Sequence, residues 1–442
     1  MSVHDENTHR YSELRSKFKC YIDTYNALYQ LKTKNKDDLH SIYKMIKTEL
    51  IDSKKCLPQI LIKDILNIIP FNTRYTNSYL KLAKLIYDEY QIEEVYDISS
   101  SSLSMFYYKY DIKLQNEDYD YGDFLFYLLL HSENSIFRLI MDDNLEQFIS
   151  FTERAGFDKD QRFEFYLQEF SGHFFSLLEL CCYYGSVRCF KFLRTKFNSE
   201  ISYRCLKFSF LGGNQEIMSE CLKYNEPYGD IMKYAIISHN IDFVTFLMNE
   251  YNISIDLECC VEYNNLESFL VAFDQNFSLN HIDECFYYST TFNIPPLWEY
   301  FLSLGANINA KFEDGFTALY NASRNDEKET VEFLLSHGAN PDEEDLIGDT
   351  ALLYAIYLEN KEIIELLLLH GADVKQNRSN KLPLHRAASQ STKEIVELII
   401  SYGANVNVKD NYKQTALRCA MYNKNIKEIV EILLSHGANV NE

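Results

Sequence analysis

The chain has 442 residues, 46% hydrophobic and 15% aromatic, which excludes general disorder and exceeds one ordinary core, so several domains or a repeat array are expected. A net charge of −22 argues against nucleic acid as the primary partner, because that binding rests on neutralising phosphates. The polar start Met1–Asn7 and the short longest apolar run, Phe124–Leu130, give no expectation of secretion or membrane insertion. The 11 cysteines, odd in number and without a C-x-x-C pair, read as buried free thiols of a reducing compartment, the cytoplasm or the nucleus.

Residues 1–130 read as helical without a repeat. Tyr21–Leu31, Leu39–Leu50, Pro58–Ile69 and Ser78–Gln91 carry apolar residues at three- and four-residue spacing, with Ile42, Met45, Ile46 and Leu50 as the stripe of the second. Pro58 suits a first turn, and Pro70 ends the segment holding Ile65, Leu66 and Ile69. Ser99–Ser102 reads as a polar break and Glu117–Asp123 as an acidic loop, with an aromatic stretch, Phe106–Tyr110, between them.

From 131 to 312 a weak repeat appears. Its marker is an asparagine followed two residues later by an acid, at Asn144, Asn214, Asn240 and Asn265. The best copy, 177–193, has Gly185-Ser186 at that place and Cys181-Cys182 where small residues let neighbouring inner helices approach; Ser209 and Ala235 hold the same position. Units are counted from about 134, 176, 204, 230, 255 and 284, and spacings of 25–29 residues between 176 and 284 leave room for helix–turn–helix with little or no β-finger.

Residues 313–442 repeat openly, in copies at about 314–346, 347–379, 380–411 and 412–442. Asp314–Ala322 leads to Thr330–Asn340, and thirty-three residues later Gly348–Ala355 leads to Ile363–Asp373; Leu382–Ala388 and Thr415 open two more. Gly305, Gly338, Gly371, Gly403 and Gly437 each stop an apolar helix, as a left-handed capping residue does. This period and its punctuation resemble the ankyrin repeat. The expected fold class is therefore all-α: an α-solenoid of ankyrin repeats with short β-hairpin or loop fingers, preceded by a helical N-terminal cap domain. The order of an irregular helical half and regular repeats resembles a large ankyrin family of trichomonad protists, whose N-terminal half is catalogued as a domain of unknown function.

Chemistry-bearing patterns are sparse. His337, His370 and His436 precede the capping glycines; equivalent positions stack roughly 10 Å apart, too far for one metal ion, and a last-turn donor can meet free carbonyls. His385 sits where ankyrin repeats use a histidine in turn hydrogen bonding. No P-loop, G-x-G-x-x-G, H-E-x-x-H or G-x-S-x-G occurs, and the pair Glu258 and Glu262 reads as a solvated face. No catalytic residue, metal or cofactor is assigned, although an enzyme site without a motif in 1–130 stays open.

Resemblance to ankyrin proteins implies a protein partner met by finger tips and inner helices. Matched by position, the candidate contacts are Lys311, Glu313, Asp314, Phe316 and Arg324 in the first regular repeat, and Leu346, Ile347, Asp349 and Tyr357 in the second. The third supplies Arg378, Asn380 and Lys381, and the fourth Asn411, Tyr412 and Gln414. There Lys413 replaces the turn glycine, which puts that turn's geometry in doubt. Residues 313–345 hold ten acids and two bases, whereas 374–393 hold five bases and no acid, so the fingers either select a partner of mirrored polarity or are simply solvated. The last helix, with Ile429, Val430, Ile432, Leu433 and Leu434, lacks a plainly polar outer face, which leaves self-association as an alternative to Lys427, Glu428 and Glu431 shielding it.

Overall fold

The computed structural model describes residues 3–53, 56–115, 122, 124–125, 127–128, 132–133, 135–165, 173–312, 314–375 and 382–440. It divides into two compact units, Met1–Gln275 and Asn276–Glu442. Among the described residues the one sheet is a two-stranded hairpin, Arg162–Phe165 antiparallel to His173–Ser176.

In the first unit, the helices Lys19–Tyr29, Lys36–Ile46, Pro58–Ile68 and Thr76–Tyr90 occupy the periodic stretches. Asn35 caps the second by accepting from Asp37 N at 2.8 Å. Its buried stripe is Leu39, Tyr43, Ile46 and Leu50, one step round from the expected one, because Ile42 and Met45 stay half-buried. Pro58 opens its helix, and after Ile68 the chain tightens through the 3₁₀ turn Ile69–Phe71 that contains Pro70. The serine run is not a break. Ser100–Tyr110 is one helix, and Ser101, Ser102 and Ser104 are buried in it, their small side chains admitting close packing. Asn67 fixes its start, accepting from Ser99 N at 2.9 Å and donating to the Asp97 carbonyl at 2.9 Å. Of the expected acidic loop, 117–121 and 123 lie outside the described residues.

Five helix pairs follow in this unit: Ile136–Met141 with Leu145–Thr152, Leu177–Tyr184 with Val187–Phe197, Tyr203–Gly212 with Gln215–Leu222, Ile231–Ile237 with Ile241–Tyr251, and Leu257–Glu262 with Leu266–Gln275. The asparagine marker has a mechanism. Asn144, Asn214, Asn240 and Asn265 each stand before the second helix and accept from the Gln147, Ile217, Asp242 and Ser268 amides respectively. First helices are capped by Ser135, Ser176, Ser202 and Asp256, and Ser176 forms a full capping box with Glu179. The hairpin fills the long gap before Ser176; between 176 and 284 the pairs carry no strand among the described residues.

The tightest approach lies between Leu177–Tyr184 and Tyr203–Gly212. A Cβ on Gly212 would stand 2.1 Å from the Cys182 carbonyl oxygen and 2.7 Å from Gly185 N, so only glycine fits. Eight of the eleven cysteines are buried as free thiols, among them Cys181, Cys182, Cys205 and Cys221 at these joints. Burial pushes the Cys181 and Cys182 thiols well up, which keeps them protonated and unreactive.

The N-terminal helices lie along the turns of these pairs. Glu267, 4% exposed, accepts from Arg15 Nε and from Asn26 Nδ2. Gln30 donates to the His239 carbonyl at 2.6 Å, and Tyr29 stacks on the His239 ring with centroids 4.0 Å apart. Tyr21 reaches Asn264, while Tyr183 donates to the Pro70 carbonyl at 2.6 Å and Arg74 to the Tyr184 carbonyl at 2.8 Å.

The second unit holds Leu279–Ser289 with Pro295–Ser303, then Ala318–Arg324 with Lys328–Ser336, Ala351–Tyr357 with Lys361–Leu369, Pro383–Gln390 with Lys393–Ser401, and Ala416–Cys419 with Ile426–Ser435. Ser278 caps the first of these, so the unit counted from 284 begins six residues earlier. Thr317, Thr350 and Thr415 cap their helices through the Tyr320, Leu353 and Arg418 amides, whereas Pro383 opens the third repeat without a side-chain cap. The capping glycines all have φ between 86° and 93°. Repeats are also tied backbone to side chain: Asn309 accepts from Asn340 N, Asp342 from Asp373 N, and Asn407 from Asn439 N, each at 2.8 Å.

Two outcomes are expected. Gly212→Ala destabilises the chain by about 1–3 kcal/mol through overpacking, whereas Gly305→Ala, with φ 93° and open space around it, costs about 1 kcal/mol from the backbone alone; urea denaturation separates them. Arg15→Ala leaves the buried Glu267 without its countercharge, with the Asn26 amide and the Tyr11 hydroxyl still donating to it, and costs about 3 kcal/mol. Adding Glu267→Ala restores part of it; a double-mutant cycle by the same method reads the coupling.

Candidate protein-binding face

The fingers of the second unit are built by one recurring device. Asp345 Oδ1 accepts from Ile347 N at 2.9 Å and Asp349 N at 2.7 Å, and Asp345 N donates to the Asp349 carbonyl. Asp410 does the same for Tyr412 N at 2.9 Å and Gln414 N at 2.7 Å. Phe312, at the equivalent place in the first finger, has no acceptor to offer, and there the chain closes as an antiparallel bridge, Phe312 with Phe316. Lys413 takes φ 59° and donates to the Asp410 carbonyl at 2.9 Å, as Gly348 does to Asp345 at 3.1 Å, so the fourth turn keeps its geometry despite the missing glycine.

These bonds sort the candidate contacts. Leu346 and Ile347 are thrown outward at the second tip, 76% and 67% exposed, and Tyr412 at the fourth, 76% exposed. Asn411 is exposed beside Tyr412, and Asp314 is exposed while its carbonyl accepts from Leu346 N at 2.8 Å. Asp349 is a correction: it closes its finger, is buried, and sets its carboxylate 3.7 Å from Arg386 rather than toward solvent. Gln414 closes the fourth finger and is half-buried. Lys311 ties one finger to the next, its Nζ 2.8 Å from Glu343 and 2.9 Å from the Glu344 carbonyl. Glu313, Arg378, Asn380 and Lys381 lie outside the described residues.

Across the inner helices runs a row of rings. Phe316 stacks on Tyr320 at 4.6 Å between centroids; Tyr320 meets Tyr354 at 5.5 Å, and Tyr354 meets Tyr357 at 5.8 Å. Arg324 lies over the Phe316 ring and Arg386 over the Tyr357 ring, each at 5.9 Å. The row thus joins three candidates, Phe316, Arg324 and Tyr357, through Tyr320, Tyr354 and Arg386, which position matching alone did not select. The aromatics at 320 and 354, near one repeat apart, were the signal for them.

Much of the charge contrast is internal. Asp345 is spent on finger amides, Asp342 on the next repeat, and Glu343 on Lys311. Of the bases, Arg386 turns to Asp349 and Lys393 lies 4.0 Å from Glu428, while Lys375 is exposed.

The histidines serve the frame. Nδ1 of His337, His370 and His436 lies 2.8, 2.9 and 2.9 Å from the carbonyls of Phe333, Leu366 and Ile432, one turn back. His385 donates through Nε2 to the Gln414 carbonyl at 3.0 Å, while its Nδ1 is buried without a hydrogen bond. Burial holds its pKa below the ordinary histidine value, outweighing the opposing Gln414, Asp410 and Val408 groups. A depressed folded-state pKa means that the stabilisation is present at pH 7 and is lost as pH falls below the unfolded value, about 6.5. Urea midpoints are therefore expected to drop between pH 7.5 and 5.5, and to drop less in His385→Gln.

Among the described residues no helix is long and apolar enough to cross a membrane, and no cluster of three metal-ligating side chains occurs. In comparisons with known proteins, residues 197–272 match the family model described as "Domain of unknown function (DUF3447)". No curated protein matches the chain. Residues 287–378 and 374–442 match "Ankyrin repeats (3 copies)". The chain thus carries a DUF3447 segment followed by ankyrin repeats in an all-α solenoid with a helical N-terminal region.

Proposed function

We propose that this chain is a non-catalytic scaffold or adaptor that holds a protein partner on the finger tips and inner-helix face of its ankyrin repeats. Ankyrin repeats suggest a protein-interaction role in general terms. The observation that carries the specific reading is the ring row Phe316, Tyr320, Tyr354 and Tyr357 with Arg324 and Arg386 over its ends. Tyrosine and arginine on a rigid frame are the residue types that dominate binding energy; in this row Tyr357 is exposed, Phe316 and Tyr354 are half-buried, and the buried Tyr320 supports them. Exposed Leu346, Ile347 and Tyr412 add apolar anchors at two tips. A reducing compartment, the cytoplasm in the first place, is part of the proposal and is supported by the buried free thiols. The order of a DUF3447 segment and ankyrin repeats also supports the resemblance to the trichomonad family.

A second reading, self-association, is favoured by the last repeat, where Met421 and Tyr422 are 65% and 77% exposed and Leu434 is 40% exposed. Both readings are checked with one variant each. Leu346→Ser/Ile347→Ser/Tyr412→Ser changes only exposed side chains, so it is expected to keep the fold and to lose captured partners at least tenfold in cross-linked pull-downs. An unchanged capture set would sink the tip assignment. Light scattering of Met421→Ser/Tyr422→Ser reads self-association: a mass that falls relative to the parent chain supports it, and a monomeric parent removes it.

A further inference from the structure

A cleft in the first unit, remote in sequence from the ankyrin repeats, gathers three cations, Lys32, Lys34 and Arg74. A cavity of about 150 Å³ is lined by Lys32, Asn72, Thr73, Arg74, Tyr184 and Asn240 among others. A second cavity shares Lys32, Arg74 and Tyr75 with it and adds Lys34. The first has the volume of a cavity that holds a benzene-sized molecule, and its wall mixes polar side chains with Ile68, Phe71, Leu211, Ile237 and Phe243.

Charge in the cleft is unbalanced. The two acids that face it, Asp142 and Asp143, are already taken. Asp142 pairs with Arg138 at 2.6 Å, and Asp143 accepts from the Arg188 and Cys189 amides at 3.1 and 2.9 Å and from the Arg188 side chain. No described carboxylate forms an ion pair with Lys32, Lys34 or Arg74. Arg74 gives Nη2 to the Tyr184 carbonyl at 2.8 Å, yet its Nε is buried without a hydrogen-bond partner. An orphaned buried guanidinium donor costs free energy unless an acceptor enters the cleft. Lys34 is held below its ordinary pKa by partial burial of its ammonium, then by Arg138 and Arg74, against the opposing pull of Asp142. In a chain of net charge −22 such a concentration is not the background.

We propose that this cleft is a binding site for a small soluble phosphate-bearing molecule, with its phosphate between Lys32, Lys34 and Arg74. A tetrahedral, multiply charged oxyanion matches the parts. Arg74 adds a guanidinium charge whose Nη2 is held in place by the Tyr184 carbonyl, the two lysines add point charges, and Asn72 and Thr73 line the recess. The Tyr75 and Tyr184 rings, near which Lys34 and Arg74 lie at 6.0 and 5.8 Å, wall the site. The site is separate from the protein-binding reading above and does not depend on it.

The test uses the full chain and inorganic pyrophosphate as the probe. A saturable rise in Tm is expected, beyond that given by sodium chloride of equal ionic strength. Lys32→Gln/Lys34→Gln changes two exposed side chains and is expected to keep its own Tm while weakening pyrophosphate binding at least tenfold. Lys375→Gln/Lys393→Gln removes the same charge elsewhere and is expected to bind as the parent does. The proposal is overturned if the parent shows no saturable rise, if the cleft variant binds equally well, or if both variants lose binding alike, since the cleft then holds only solvent or a diffuse counterion.

Discussion

Backbone-to-backbone approach of neighbouring inner helices is the constraint on which the irregular half rests. Gly212 shows it most sharply, since even one methyl would overlap the Cys182 carbonyl. Around that joint the chain places Cys181, Cys182, Cys205 and Ser209, all fully buried and all small. Cysteine suits the position because it packs as a small hydrophobe, and burial keeps the Cys181 and Cys182 thiols protonated. The regular repeats meet the same need with Ala322, Ala355, Ala387 and Ala388.

Turn construction and surface exposure are kept on different atoms of the same fingers. Asp345 and Asp410 hold their turns with carboxylate oxygens bonded to backbone amides, which frees the side chains at the apex from any structural duty. Leu346, Ile347 and Tyr412 are therefore exposed because the turn beneath them is already satisfied. Acidity in the sequence 342–345 thus reports turn construction more than surface potential.

The repeat architecture was legible from the sequence because its marks are local. A glycine after an apolar helix, a threonine thirty-three residues on, and an asparagine before several of the second helices each satisfy a bond within a few residues of themselves. What was not legible depends on contacts without a period. Nothing near Arg15 announces Glu267, and nothing near Arg74 announces the Tyr184 carbonyl. Ser99–Ser102 misled for the same reason: serines favour turns when judged locally, yet here they are buried and their helix is set by Asn67, thirty-two residues earlier. On the candidate face, position matching selected residues that are exposed at the tips, Leu346, Ile347 and Tyr412, but also the buried Asp349, and passed over Tyr320, Tyr354 and Arg386, because a finger-closing residue and an outward one differ only in which atoms the turn uses.

The N-terminal layer has a bearing on how this chain is made. Repeat arrays fold by neighbour contacts and can grow as they are synthesised. Here the pairing of Arg15 with Glu267 spans 252 residues. At ribosomal rates of roughly 5–20 residues per second, that interval lasts about 13–50 s. Through it the first helices must wait with their apolar faces uncovered while the pairs they will lie against are still emerging. The half of the molecule with the least regular sequence thus cannot close until residue 267 has emerged, and it presents its longest exposure at birth, when chaperone binding would matter most.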